Sequence, residues 1–167
     1  MPPSFVCAIC REEHKGLITD WAYTLPDEVW AIPESQRAQR ARFNTDLCQF
    51  GERYFIRCIL PVPYPEADTE FGWGAWAEVA WPVFEGYLKL YDKDGSAEPA
   101  HSGTLANELR PYPGSLGAAV GIQFGDPTKR PKLSLRTGDD SLLAREQRSG
   151  IDSGRYHEVL TILRRKE

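Results

Sequence analysis

The stretch Asp46-Leu47-Cys48-Gln49-Phe50-Gly51-Glu52-Arg53-Tyr54-Phe55-Ile56-Arg57-Cys58-Ile59-Leu60 reads as two strands joined by a two-residue turn. Aromatic and β-branched residues favour the pleated, half-buried surface of a sheet. Gly51 stands first in the loop, where a type II′ turn needs a positive φ that glycine adopts freely. That turn sets the register: Phe50 faces Arg53, Gln49 faces Tyr54 and Cys48 faces Phe55. Side chains alternate with a period of two, so Cys48 and Phe55 share one face while Tyr54, Ile56 and Cys58 share the other. The two cysteines point to opposite sides of the sheet.

Downstream, Pro61, Pro63 and Pro65 either end the second strand or confine its tail to an edge. Residues 70–79 read as a further strand, with Phe71, Trp73, Ala75, Ala77 and Val79 on one face. Trp76 lies on the other face beside Gly72 and Gly74, which permit a bulge or the close approach of another backbone. A helix opens at Trp81-Pro82, with Phe84, Tyr87, Leu88 and Tyr91 as an apolar stripe. Residues 92–99 start like a calcium loop but lack its later ligands. Residues 101–109, 118–124 and 132–136 read as strands or strand-turns, with a turn at 111–114. Two helices close the chain. Asp139 or Asp140 caps the first, and Gly150 stops it. Asp152 caps the second, Ile151 staples to Tyr156, and Tyr156, Val159, Leu160 and Leu163 form its buried face.

Upstream, residues 20–26 read as an extended connection, Pro26 opens a short helical turn, and residues 34–42 form a short, mostly exposed helix. The fold class is therefore α+β: a mixed or mainly antiparallel sheet with flanking helices, an N-terminal zinc-knuckle-like loop at residues 5–20, and two C-terminal helices. The 167 residues suggest one domain, and a domain of this size buries roughly 70% of its unfolded surface without disulfide staples. A net charge of −4 argues against nucleic acid as the main partner, although it leaves room for a local basic patch. No apolar run approaches the ~20 residues of a membrane span, and the N-terminus lacks the pattern of a secretory signal. These features point to the cytoplasm, where four cysteines read as thiols or metal ligands before disulfides.

The chemistry-bearing stretch is Cys7-Ala8-Ile9-Cys10-Arg11-Glu12-Glu13-His14. A knuckle turn can bring Cys7 and Cys10 to one ion, and His14 can supply a third ligand. The fourth would come from Cys48, Cys58, His101, His157 or a carboxylate. A redox dithiol and two inert thiols are the alternatives. The redox reading asks for a helix after the pair, which the short run to Gly16 does not provide.

Together, Cys7-x-x-Cys10-x-x-x-His14, Asp46-Leu47-Cys48, Phe55-Ile56-Arg57, Phe71-Gly72-Trp73-Gly74-Ala75-Trp76 and Glu146-Gln147-Arg148-Ser149-Gly150-Ile151 resemble the bacterial domain-of-unknown-function family 2199, in order and over nearly the whole chain. The family's knuckle has Gly where this chain has Arg11, and a small residue where it has Cys58. The resemblance implies Cys7, Cys10, His14 and Cys48 as the metal set, with Cys58 an incidental thiol. It implies no activity.

Four protein ligands leave no open coordination position, so the zinc would be structural, and no catalytic residue is assigned. The functional expectation is a binding or interaction module for another protein. The alternative is a small enzyme near Trp73 and Trp76. Arg57, Trp73, Trp76 and His101 are the candidate ligand or partner surface. The competing reading of the aromatic stretch is a tightly packed central strand, the usual setting for such residues.

Overall fold

The computed structural model describes residues 4–6, 13–15 and 19–165. In chain order the elements are β1 (Ser4–Val6), β2 (Glu13–Lys15), β3 (Asp20–Ala22), α1 (Asp27–Trp30), α2 (Glu34–Arg40), β4 (Arg42–Phe43), β5 (Leu47–Phe50) and β6 (Arg53–Tyr64). After a short turn of tighter helix at Pro65–Ala67 come β7 (Thr69–Val79), α3 (Trp81–Lys89), β8 (His101–Leu105), β9 (Ala119–Gln123), β10 (Lys132–Leu135), α4 (Leu142–Ser149) and α5 (Ser153–Arg164). The architecture is α+β, and β1 pairs with β2 apart from the main sheet, Phe5 opposite His14.

The β5–β6 hairpin has the register expected from its turn: Phe50 opposite Arg53, Gln49 opposite Tyr54, Cys48 opposite Phe55. Gly51 sits at φ +61° while Glu52 stays at negative φ, the sign pattern of a type II′ turn. β6 then pairs antiparallel with β7 from Tyr54–Val79 to Tyr64–Thr69. β7 also pairs with β8, β8 with β9, β9 with β10, and β10 returns to β6, so five strands close into a barrel. β3 adds to β7 in parallel, and β5 and β4 extend the sheet beyond β6. The sheet is thus mixed and mainly antiparallel, as expected. Its closure is not legible in the strand pattern, because the closing contact joins strands far apart in the chain.

That contact is thin. β10 meets β6 in parallel through one register pair, Lys132 with Ile59, where Ile59 N–H donates to Pro131 O at 2.8 Å. Two residues on, the strand continues through Pro61 and Pro63, which the sequence placed at its end or on an edge. Both lie in the β7 ladder, opposite Gly72 and Glu70. By strand alternation their nitrogens face the β10 side, like that of Ile59, so the β7 ladder loses no donor. On the β10 side the missing strand bonds are replaced by Gln147 of α4. Its Nε2 donates to Pro61 O at 3.1 Å and Leu133 O at 3.0 Å, and its Oε1 accepts from Leu135 N at 2.8 Å. Two residues past the helix, Ile151 N–H donates to Pro63 O at 2.9 Å. A helix side chain and a helix-end amide thus fill the seam.

Alternation along β6 and β7 sorts side chains into two cores. Inside the barrel lie Ile56, Cys58, Leu60, Val62 and Tyr64 with Phe71, Trp73, Ala75, Ala77 and Val79, joined by Tyr156, Val159, Leu160 and Leu163 of α5. Burying each large apolar side chain contributes about 1.5–3 kcal/mol. Outside, Cys48, Phe55 and Trp76 pack with Leu25, Val29, Ile32, Ala41 and Ala106. The close backbone approach foreseen at the β7 glycines is that of β3: a Cβ on Gly74 would meet that of Ala22 at 2.9 Å.

Several expectations need correction. Residues 20–22 form a strand, because a parallel partner on β7 satisfies their backbone. The first C-terminal helix is capped by Ser141, whose Oγ accepts from Ala144 N at 3.2 Å, while Asp139 accepts from Ser141 N one turn earlier. On α3 only Phe84 of the stripe is buried, and Leu88 and Tyr91 are exposed at 42% and 47%. The strand at 101–109 ends at Leu105. The short helix α2 buries no residue, and Asp152 caps α5 through Arg155 N at 2.7 Å, both as expected.

Gly150 sits at φ +86°, ψ 175°, a region essentially reserved for glycine, and a Cβ there would lie 2.9 Å from Pro63 O. Gly150→Ala should therefore destabilise the protein by more than the ~1–3 kcal/mol of backbone strain alone, read as a lower urea midpoint. An effect below about 0.5 kcal/mol, the scale of ordinary surface substitutions, would contradict this placement.

Candidate functional site

The four residues singled out as a candidate surface do not come together. Arg57 and Trp76 are cross-strand partners on the outer face. Trp73 points into the barrel, with 1% of its surface exposed, and Trp76 is fully buried in the second core. Neither ring is available to a partner, because both supply core volume. The packed central strand is what the structure describes. His101 stands on β8 with its ring 4.9 Å from that of Phe124.

Trp76 is held by a polar hub that the sequence did not flag. Its N–H donates to Asn107 Oδ1 at 2.8 Å, and its indole Nε1 donates to Tyr23 O at 3.0 Å. Asn107 is fully buried and donates through Nδ2 to Leu25 O and Asp27 Oδ1, both at 2.9 Å. Asp27 also accepts from Glu108 N at 2.7 Å. One amide thus ties β7, α1 and the chain after β8 together. Buried polar groups with every partner present rigidify a core.

A second network joins the turn after β8 to the C-terminal helices. Tyr112 O–H donates to Glu146 Oε1 at 2.6 Å, and Arg155 Nε donates to both Glu146 oxygens at 3.0 Å. Arg155 also reaches Pro111 O, and its guanidinium lies 5.1 Å from the Tyr112 ring centre. Burial and the Glu146 carboxylate both push the Tyr112 phenol upward. Glu108 organises the same turn by accepting from Gly114 N, Leu116 N and Ser115 Oγ. Its partial burial raises the carboxyl, but these hydrogen bonds outweigh that and hold it below the ordinary range.

The third arrangement is a polar cleft of about 570 Å³ lined by Asp46, Ile59, Glu70, Tyr87, Tyr91 and the loop from Pro127 to Arg130, with Lys132. Asp46 accepts from Arg130 Nε at 3.3 Å and from Tyr91 O–H at 3.2 Å. Arg57 donates through Nη1 to Thr45 O at 3.2 Å, and its buried Nε has no partner among the described residues. Burial first, then repulsion from Arg130, lowers the Arg57 guanidinium.

The family model described as an uncharacterized protein conserved in bacteria, DUF2199, matches residues 6–151. The chain belongs to that family. No curated protein and no solved structure matches it. The family-like run at 146–151 has structural work in this chain: Glu146 anchors Tyr112 and Arg155, Gln147 fills the seam, Gly150 turns the backbone, and Ile151 joins the core.

Of the expected metal set, Cys7 and Cys10 lie outside the described residues, and for His14 the backbone alone is described, in β2. Cys48 and Cys58 are free thiols on opposite faces, at 1% and 0% exposure. Burial pushes the Cys48 thiol up to about 11. Among the described residues, no three of the His, Cys, Asp and Glu side chains gather as a metal site requires. No helix among them is long and apolar enough to cross a membrane.

The Glu146–Arg155 pair is 13% exposed on each side, so removing one partner strands the other. Glu146→Ala should cost about 3 kcal/mol, and Tyr112→Phe about 1 kcal/mol, in chemical denaturation. Equal, small effects would contradict the network. Glu108, held low in the folded state, gives stability that is complete above its unfolded value near 4.5 and lost as pH falls through the folded one. Glu108→Gln should therefore flatten the acid limb of the stability–pH curve, and an unchanged limb would contradict the assigned hydrogen bonds.

Proposed function

We propose that this protein is a binding module that presents a barrel scaffold to another protein, with the Cys7–His14 segment fastened by a structural zinc. The observation that carries the interaction reading is the surface around Phe84. Phe84 is buried, but its neighbours are not: Trp81 is 45% exposed, Leu88 42% and Phe43 41%. Tyr54, Trp81 and Phe84 pack ring against ring at 5.1–6.0 Å. Phe43 and Leu47 border Phe84 across a shallow depression. Phe43 also stands on β4, the terminal strand of the sheet, whose outer edge has no strand beside it among the described residues. An apolar patch beside an open edge suits a protein partner.

The zinc reading rests on the chain's family and on the hairpin register. Cys58 is sealed inside the barrel, whereas Cys48 stands on the outer face. Cys7, Cys10, His14 and Cys48 would hold the ion in a closed Cys₃His set, whose thiolates the metal itself would stabilise. The enzyme alternative centred on Trp73 and Trp76 loses its support, because opposite faces of β7 cannot present two rings to one substrate.

Elemental analysis tests the zinc. Purified protein should carry about one zinc per chain, retained in Cys58→Ser and lost in Cys48→Ser. Metal-free protein, or loss through Cys58 alone, would contradict the set. For the surface, a Trp81→Ser/Leu88→Asp variant should melt like the parent yet lose crosslinking to the partner that the parent captures. Undiminished crosslinking would move the interface elsewhere.

A further inference from the structure

The cleft beside Asp46 is separate from the Phe84 surface and does not depend on it. Its walls carry Lys129, Arg130 and Lys132, with the hydroxyls of Tyr87, Tyr91 and Thr128. Its volume falls within the range of small-molecule sites, roughly 300–1,000 Å³. Two carboxylates line it as well, Glu70 on the exposed surface and Asp46 deeper. Asp46 is already engaged by Arg130 and by the Tyr91 hydroxyl, at the long distances of 3.3 and 3.2 Å. Behind this pair stands Arg57, tied to the same segment by its own N–H to Asp46 O at 2.9 Å. Arg57 lies behind the lining rather than in it, with its Nη1 held by Thr45 O at 3.2 Å. The chain as a whole is acidic, so this concentration of positive charge is local.

We infer that the cleft binds a phosphate-bearing small molecule, with Arg130 as the guanidinium donor, Lys129 and Lys132 as flanking charges, and Asp46 as an internal competitor for Arg130. Arginine forks match the geometry of phosphate oxygens, and lysines add point charge. Tyr87 and Tyr91, whose rings meet edge-on with centres 6.0 Å apart, form an aromatic wall for whatever the phosphate is attached to. Burial and nearby Asp46 raise the Tyr87 phenol to about 12, which keeps it a hydrogen-bond donor at neutral pH.

The competitor role gives a sign that a structural role for Asp46 does not. Titration calorimetry with inorganic phosphate and with adenosine monophosphate, at low salt, reads it. The parent should bind at least one probe in the millimolar range or tighter. Asp46→Asn should bind about tenfold more tightly, because the Arg130 guanidinium is released. Arg130→Gln and, independently, the exposed-loop variant Lys129→Gln should each bind more weakly than the parent, with Arg136→Gln as a control at unchanged affinity. Melting curves without ligand establish which variants are folded, and Lys129→Gln carries the test if Arg130→Gln is not. Equal affinity for the two probes assigns the site to the phosphate group alone, and tighter binding of the nucleotide adds the tyrosine wall. Heat-silent titrations of the parent and of Asp46→Asn with both probes overturn the proposal, as does weaker binding by folded Asp46→Asn.

Discussion

The barrel depends on a seam that strand pairing leaves almost open. β6 and β7 share a long antiparallel ladder, but β10 meets β6 through a single register pair. Two prolines follow on β6, and they cannot donate to a neighbour. The side-chain amide of Gln147 bridges this gap with two donated bonds and one accepted bond. An amide suits the position because it offers both donors and an acceptor, as a peptide group would. A buried backbone carbonyl left without a partner at Pro61 or Leu133 would cost free energy comparable to a lost hydrogen bond.

Closing the barrel determines what else the chain can do. Once β6 and β7 are wrapped, the even-numbered positions of β6 and the odd-numbered positions of β7 belong to an interior core, and Phe55 and Trp76 on the opposite faces belong to an exterior one. Trp73 goes to one and Trp76 to the other, so the aromatic stretch that draws attention in the sequence serves packing. The outer core needs Asn107 to satisfy the Trp76 amide and to hold α1 in place. The helices α4 and α5 are fixed by Glu146 and Arg155, which also seat the turn at Tyr112. The surfaces left for recognition lie at the edges of this construction: the Phe43–Trp81–Leu88 patch and the cationic cleft by Asp46.

Local structure was legible where one residue type has one physical use. Gly51 fixed the hairpin and its register, and alternation then separated Cys48 from Cys58. The α5 face, its Asp152 cap and the short exposed α2 followed from periodicity and capping chemistry. Closure was not legible, because it joins residue 59 to residue 132 and rests on a glutamine that in a sequence reads as helix surface. Asn107 was missed for the same reason: its partners come from residues 25–27 and 76. The α3 stripe was misjudged in part, since periodicity identifies an apolar face but not whether anything covers it. The cleft drew on a loop whose lysines and arginine looked like ordinary solvated charge, and the sequence offered no signal that Arg57 and Asp46 would stand beside it.

Amide hydrogen exchange at Leu135 tests directly whether the Gln147 side chain closes the barrel. Leu135 N–H donates to Gln147 Oε1, whereas the β6–β7 amides depend on no residue of α4. In Gln147→Ala, exchange at Leu135 and at neighbouring Ile59 should accelerate by orders of magnitude, towards local opening, while the central β6–β7 amides keep their protection relative to global unfolding. If Leu135 and Ile59 exchange as slowly in Gln147→Ala as in the parent, the seam is not held by the Gln147 side chain.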